Sequence, residues 1–122
     1  MTTTVFLLLA LFGIKHFLAD FLMQYEYMLK EKGIYGAIGG VHHALLHASF
    51  TFLILVFFCH NGNEIIALAA VDFFIHYHVD FVKQQLNQGL TTADRNFWLL
   101  LGADQALHYL TYIGIIAYVS LS

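Results

Sequence analysis

A chain of 122 residues that is 60% hydrophobic, 11% charged and free of proline lacks the polar surface of a soluble domain, where about a quarter of residues are charged. Its net charge of −3 offers no basic face for nucleic acid, and the single cysteine, Cys59, excludes an internal disulfide and a cysteine-based zinc knuckle. What remains is an all-α polytopic membrane protein, one integral-membrane domain over residues 1–122.

Residues 3–27 form the first expected span. No basic residue precedes its apolar run, which continues past Asp20, so it reads as a transmembrane helix rather than a cleaved leader. His16, Asp20 and Gln24 follow at four-residue steps and share one helix face, and Tyr27 continues that stripe. Lys15 lies about 100° round from His16 and flanks the polar interior. A short loop, 28–35, carries Lys30, Glu31, Lys32 and Gly33.

The second span, 36–60, opens on Gly36-x-x-x-Gly40, a spacing that lets membrane helices approach closely, on nearly the same face as His43 and His47. His42 points about 100° away, His60 falls at headgroup level, and Cys59 reads as a small hydrophobe near the helix end. The third span, 63–83, places Asp72, His76, Asp80 and Lys83 within about a quarter of the helix circumference, whereas His78 faces elsewhere. A polar stretch, 84–94, ends in N-cap residues. The fourth span, 95–121, carries Asp104 and His108 with Gln105 and Thr111 beside them. Trp98 and Tyr112 read as interfacial or packing aromatics.

Basic residues cluster at one side: Lys30 and Lys32 in the first loop, Lys83 and Arg95 around the third. The positive-inside rule then makes those loops cytoplasmic and puts both termini outside. At 1.5 Å per residue, Asp20 and His16 lie roughly 10 and 16 Å from the cytoplasmic end of their helix, and His43 and His47 lie at roughly the same depths. His76 lies about 10 Å from Lys83, and Asp104 about 13 Å from Arg95. The expected architecture is therefore a four-helix transmembrane bundle with a polar His/Asp layer in its cytoplasmic half.

An unpaired Asp at mid-span costs about 2.5–3.5 kcal/mol on insertion scales. Four of them, Asp20, Asp72, Asp80 and Asp104, together approach a domain's whole stability of about 5–15 kcal/mol. They must be protonated, paired with His⁺ and Lys⁺, or bound to cations. His16, Asp20, His43, His47, His76, Asp80, Asp104 and His108 are the candidate metal ligands, a nitrogen and oxygen set suited to zinc, manganese or iron. They are more than one tetrahedral ion needs, so two or three divalent ions are expected. Such a centre lowers the pKa of bound water and clamps a phosphoryl oxygen. Asp72, Lys83 and Lys15 are the candidate catalytic groups beside it.

HFLADFLMQ in the first span, HALLH in the second, HYHVDFVK in the third and DQALH in the fourth resemble the domain-of-unknown-function 3307 family of small bacterial and phage membrane proteins. The resemblance covers nearly the whole chain. It implies that His16, Asp20, His43, His47, His76, Asp80, Lys83, Asp104 and His108 form the family's polar signature, and that the chain lies in a bacterial inner membrane. The family supplies no reaction. More loosely, the HxxxD pairs are similar to those of the zinc-dependent phospholipase C and P1 nuclease group and of membrane-bound metal-dependent hydrolases. That similarity implies phosphoester hydrolysis with metal-bound hydroxide as nucleophile, although this chain is much shorter than the soluble enzymes and lacks their N-terminal tryptophan ligand.

The leading expectation is thus a membrane-embedded metal-dependent hydrolase of a phosphoester or lipid substrate, in contact with the bilayer and able to form a homo-oligomer. Di-iron or haem redox chemistry and ion or proton transport along the His/Asp chain are the alternatives. Few polar residues occupy the outward half, apart from Cys59, His60, Ser49 and Thr51, so no continuous path across the membrane is evident.

Overall fold

The computed structural model describes residues 1–122. Five α-helices account for most of the chain: α1 (Thr2–Phe17), the short α2 (Glu26–Glu31), α3 (Ile38–Leu55), α4 (Gly62–Leu86) and α5 (Arg95–Leu121). With its π-helical extension through Leu22, the first helix joins α3, α4 and α5 as four segments long and apolar enough to cross a membrane. They correspond to about 27–41 Å of helix against a hydrocarbon core of about 30 Å.

The four long helices close into a ring. α1 packs on α3, α3 on α4, α4 on α5 and α5 back on α1, while α2 lies against α3. The distribution of residue types is inverted relative to a soluble protein. Eleven of the 26 buried residues are polar or charged, whereas Phe6, Phe74 and Leu110 on the long helices are exposed. Exposed apolar side chains around a polar interior are what a lipid solvent selects.

Helix ends depart from the expected limits in the first three spans. The first span ends at Leu22 rather than residue 27. Its last turn, Leu18–Leu22, widens to π-helical geometry, with the Met23 N–H donating to the Leu18 carbonyl at 2.9 Å. The chain then turns extended at Tyr25 and re-enters helix as α2, so Tyr27 does not continue the His16 stripe. The second span begins at Ile38, because Gly36 has φ +81° and Ala37 is extended. Gly36 is therefore outside the helix, where it donates its N–H to the Tyr77 hydroxyl at 2.7 Å.

Close approach falls instead to Gly39 and Gly40. A Cβ on Gly39 would lie 2.6 Å from the Tyr27 carbonyl oxygen, and one on Gly40 3.4 Å from Cα of Lys32. At its other end α3 stops at Leu55, where Phe57 and Phe58 close tight turns onto Ile54 and Leu55. The third helix runs three residues past the expected limit, to Leu86, and the fourth matches its expected range. Asp94 is the N-cap residue of α5, but its carboxylate accepts hydrogen bonds from Thr91 instead of from the helix.

One end of the bundle is sealed by an apolar cluster of Leu8, Phe12, Leu55, Ile65, Tyr112, Ile115 and Ile116, with Cys59 packed against it. Tyr112 forms the boundary of this cluster. Its ring packs on Phe12 with centroids 5.3 Å apart, and its hydroxyl reaches the polar layer toward the α2 end.

Candidate metal centre

Every four-residue pair picked out in the sequence contributes to one continuous buried network. Asp20 is the collecting carboxylate on the first helix. Its Oδ1 lies 3.1 Å from His43 Nε2 and 2.8 Å from His47 Nε2, and its Oδ2 lies 3.0 Å from His16 Nε2. Asp80 plays the same part on α4: Oδ2 lies 3.3 Å from His76 Nε2 and 3.4 Å from His43 Nε2, and Oδ1 lies 3.1 Å from His108 Nε2. Asp104 closes the network at 3.1 Å from the same nitrogen of His108. Five imidazoles thus turn Nε2 toward two carboxylates.

The rings themselves are tightly packed. His76 stacks on His47 with centroids 3.7 Å apart and on His108 at 3.9 Å. Nε2 of His43 and His76 are 3.3 Å apart. The widened turn at Leu18–Leu22 carries Asp20, and such π-helical turns occur frequently at functional sites.

Two overlapping groups meet the geometry of a metal site: Asp20 with His43, His47 and His76, and His76 with Asp80 and His108. Within each group the ligand atoms lie within 4.8 Å of one another. Around a tetrahedral zinc, bonds of about 2.0–2.2 Å place ligand atoms about 3.3–3.6 Å apart. Three separations within the first group, Asp20 to His43, Asp20 to His47 and His43 to His76, are 2.8–3.3 Å and need only small outward shifts to reach that spacing, while all its ligand atoms lie within 4.8 Å. The residues fit a metal ion in both donor type and distance, so these His/Asp clusters can hold one. His16 and Asp104 fall outside the two groups and instead bond to members of them.

Behind the ligand atoms lies a second layer of contacts. The Tyr112 hydroxyl is 2.9 Å from His16 Nδ1 and 3.4 Å from His47 Nδ1, and Gln105 Oε1 is 2.7 Å from His16 Nε2. Lys15 donates to Asp72 Oδ2 at 2.8 Å and to the His47 carbonyl at 3.3 Å, and Thr51 donates to the same Asp72 oxygen at 2.6 Å. Lys15 and Asp72 therefore face the back of the His47 ring as a closed ion pair. His43 Nδ1 and His76 Nδ1 are buried without a hydrogen-bond partner.

Lys83 is placed differently. It is half-buried and makes no ion pair with the network. It lines a cleft of about 310 Å³ between α4 and α5, together with Val79, Leu100, Leu107 and Asp104. The ammonium that bonds to a ligand carboxylate belongs to Lys32, at 3.2 Å from Asp80 Oδ2, a residue counted in the sequence only as a loop cation. Tyr112 and Thr51 were also missed, although a signal existed. Tyr112 is four residues beyond His108, and Thr51 four beyond His47, so both prolong stripes already recognised. For Lys32 no local signal exists, because the fold of the loop decides where it points.

No curated protein and no solved structure matches the chain, so the looser likeness to zinc-dependent hydrolases gains no support from known proteins. The family comparison finds a match over residues 7–122, a range that takes in all four motifs, to the proteins of unknown function called DUF3307, and this chain is a member of that family.

Proposed function

We propose that the protein is a membrane-embedded metal-binding protein that holds a divalent cation on Asp20, His43, His47 and His76, with Asp80 and His108 adjoining, and that it hydrolyses a phosphoester or lipid substrate. The observation that carries the proposal is the convergence of imidazole nitrogens and carboxylate oxygens from all four long helices within ligand distance. Ion pairs kept only for stability are a poor account of it, since apolar replacements usually serve stability as well or better.

Zinc suits the donor set best, with manganese or iron as alternatives. A bound divalent cation supplies Lewis-acid polarisation of a phosphoryl or carbonyl oxygen and a more acidic water. The chain's own residues do the rest. Tyr112 and the Lys15–Asp72 pair hold the imidazoles of His16 and His47 in place. The cleft between α4 and α5 gives an acyl chain lateral access to Asp104, and Lys83 on its wall attracts an anionic headgroup. By the distribution of Lys and Arg, this layer belongs to the cytoplasmic half of a bacterial inner membrane. Haem is disfavoured, because the rings of His47, His76 and His108 stack directly on one another and leave no slot for a porphyrin.

The test is elemental analysis of the purified chain in detergent, wild type beside His76→Ala/Asp80→Asn, followed by a chelator-sensitive assay on bis-(p-nitrophenyl) phosphate and on phospholipid micelles. Wild type should carry zinc, manganese or iron and the variant almost none. Metal near zero in both sinks the proposal. Bound metal with no turnover of either substrate leaves a metal-binding protein and removes the hydrolase.

A further inference from the structure

Two ammonium groups reach the ligand layer: that of Lys15, closed on Asp72 behind the His47 ring, and that of Lys32, which bonds to a ligand carboxylate. Lys32 is the C-cap residue of α2, is only 6% exposed, and lies 3.2 Å from Asp80 Oδ2. That same oxygen is 3.3 Å from His76 Nε2 and 3.4 Å from His43 Nε2. The ammonium therefore sits on the carboxylate of the second ligand group, His76, Asp80 and His108. Its position is held by the fold. Glu31, the preceding residue, accepts the N–H of Gly39 at the start of α3, and Cα of Lys32 backs directly onto Gly40.

Charge and valence both bear on what Lys32 does there. Asp20, Asp80 and Asp104 face one ammonium in this layer, because Lys15 and Asp72 neutralise each other. With the imidazoles neutral, the form in which they bind metals, two negative charges remain. One divalent ion balances them, whereas two ions would leave an uncompensated double positive charge in a dry interior. The lone pair on His76 Nε2, moreover, can serve only one of the two groups at a time.

We infer that Lys32 is a built-in cation that takes the place of a second metal ion at Asp80 and limits the centre to one divalent ion per chain. This rests on the metal-binding reading above and goes beyond it in assigning a stoichiometry and the residue that sets it. Replacing Lys32 by an apolar residue frees Asp80 and His108, with Asp104 close by, as a latent second site. Two divalent ions then exceed the carboxylates by a single positive charge, which one bound anion such as chloride neutralises.

The experiment uses the full chain in detergent, stripped with chelator, reloaded with Zn²⁺ alone and analysed for zinc per chain. Wild type and Lys32→Arg are expected to bind one equivalent and Lys32→Met two. Two equivalents in the wild type overturn the inference, as does one equivalent in a Lys32→Met protein of unchanged helical circular dichroism. If Lys32→Met fails to fold, the wild type loaded with Mn²⁺ decides. An isolated six-line electron paramagnetic resonance signal supports the single-ion centre, and a spin-coupled pair overturns it. Absence of bound metal from every form is a different failure, since it overturns the metal reading beneath this one.

Discussion

Lys15 has no route to water. It is 2% exposed, bonded to Asp72 and the His47 carbonyl, and its ammonium lies 4.3 Å from the centroid of the Tyr112 ring. Removing one member of such a pair strands the other's charge. Lys15→Met is therefore expected to cost about 3–5 kcal/mol, while Lys15→Met/Asp72→Leu should recover most of it, because apolar replacement of a whole buried pair is close to neutral. Thermal unfolding of the three proteins in one detergent measures this, and a double variant as unstable as the single would show that the pair does more than balance charge. In the sequence Asp72 was legible as the residue one turn before His76, and Lys15 as a cation flanking the polar stripe. Their partnership was not, because it depends on the axial register of two helices that are far apart in the chain.

Between residues and whole bundle, the element that matters most is the shortest. α2 carries Lys32 to Asp80 and depends on the absence of a side chain at Gly39, where an added Cβ would meet the Tyr27 carbonyl at 2.6 Å and Glu31 Oε2 at 2.7 Å. Gly39→Ala must push α2 away from α3. The expected loss is about 1–3 kcal/mol, as for overpacking elsewhere, accompanied by weaker retention of metal. Gly102→Ala is the control, with nothing within 4 Å of the added carbon, and should be neutral or stabilising by up to about 1 kcal/mol. Equal thermal midpoints for the two variants would contradict the packing argument. Nothing in the hydropathy pattern separates α2 from the end of the first span, since the break comes from a widened turn at Leu18–Leu22 and an extended Tyr25.

Across the molecule, the polar layer and the apolar seal divide the bundle into unlike halves. Hydrogen bonds run from Asp104 through His108, Asp80, His43, Asp20 and His47 to Lys15 and Asp72. Past Thr51 the interior is Leu8, Phe12, Leu55, Ile65, Ile115 and Ile116. None of these six side chains can relay a proton or coordinate an ion. Proteoliposomes holding the protein are expected to show no proton or cation flux above that of empty vesicles. A pH-dependent conductance abolished by His47→Ala would instead put transport ahead of hydrolysis.

Four helices long enough to span, and the eight His and Asp side chains on their inner faces, were determined by the sequence alone. Apolar run length and a four-residue polar period are local properties that survive without knowledge of any partner. The tertiary structure decided which carboxylate meets which imidazole, that Lys32 rather than Lys83 reaches the ligands, and that Tyr112 turns its hydroxyl toward two histidines. Those outcomes depend on helix rotation, on register and on the path of a loop. The packing of the whole ring sets these quantities, and no stretch of chain encodes them by itself.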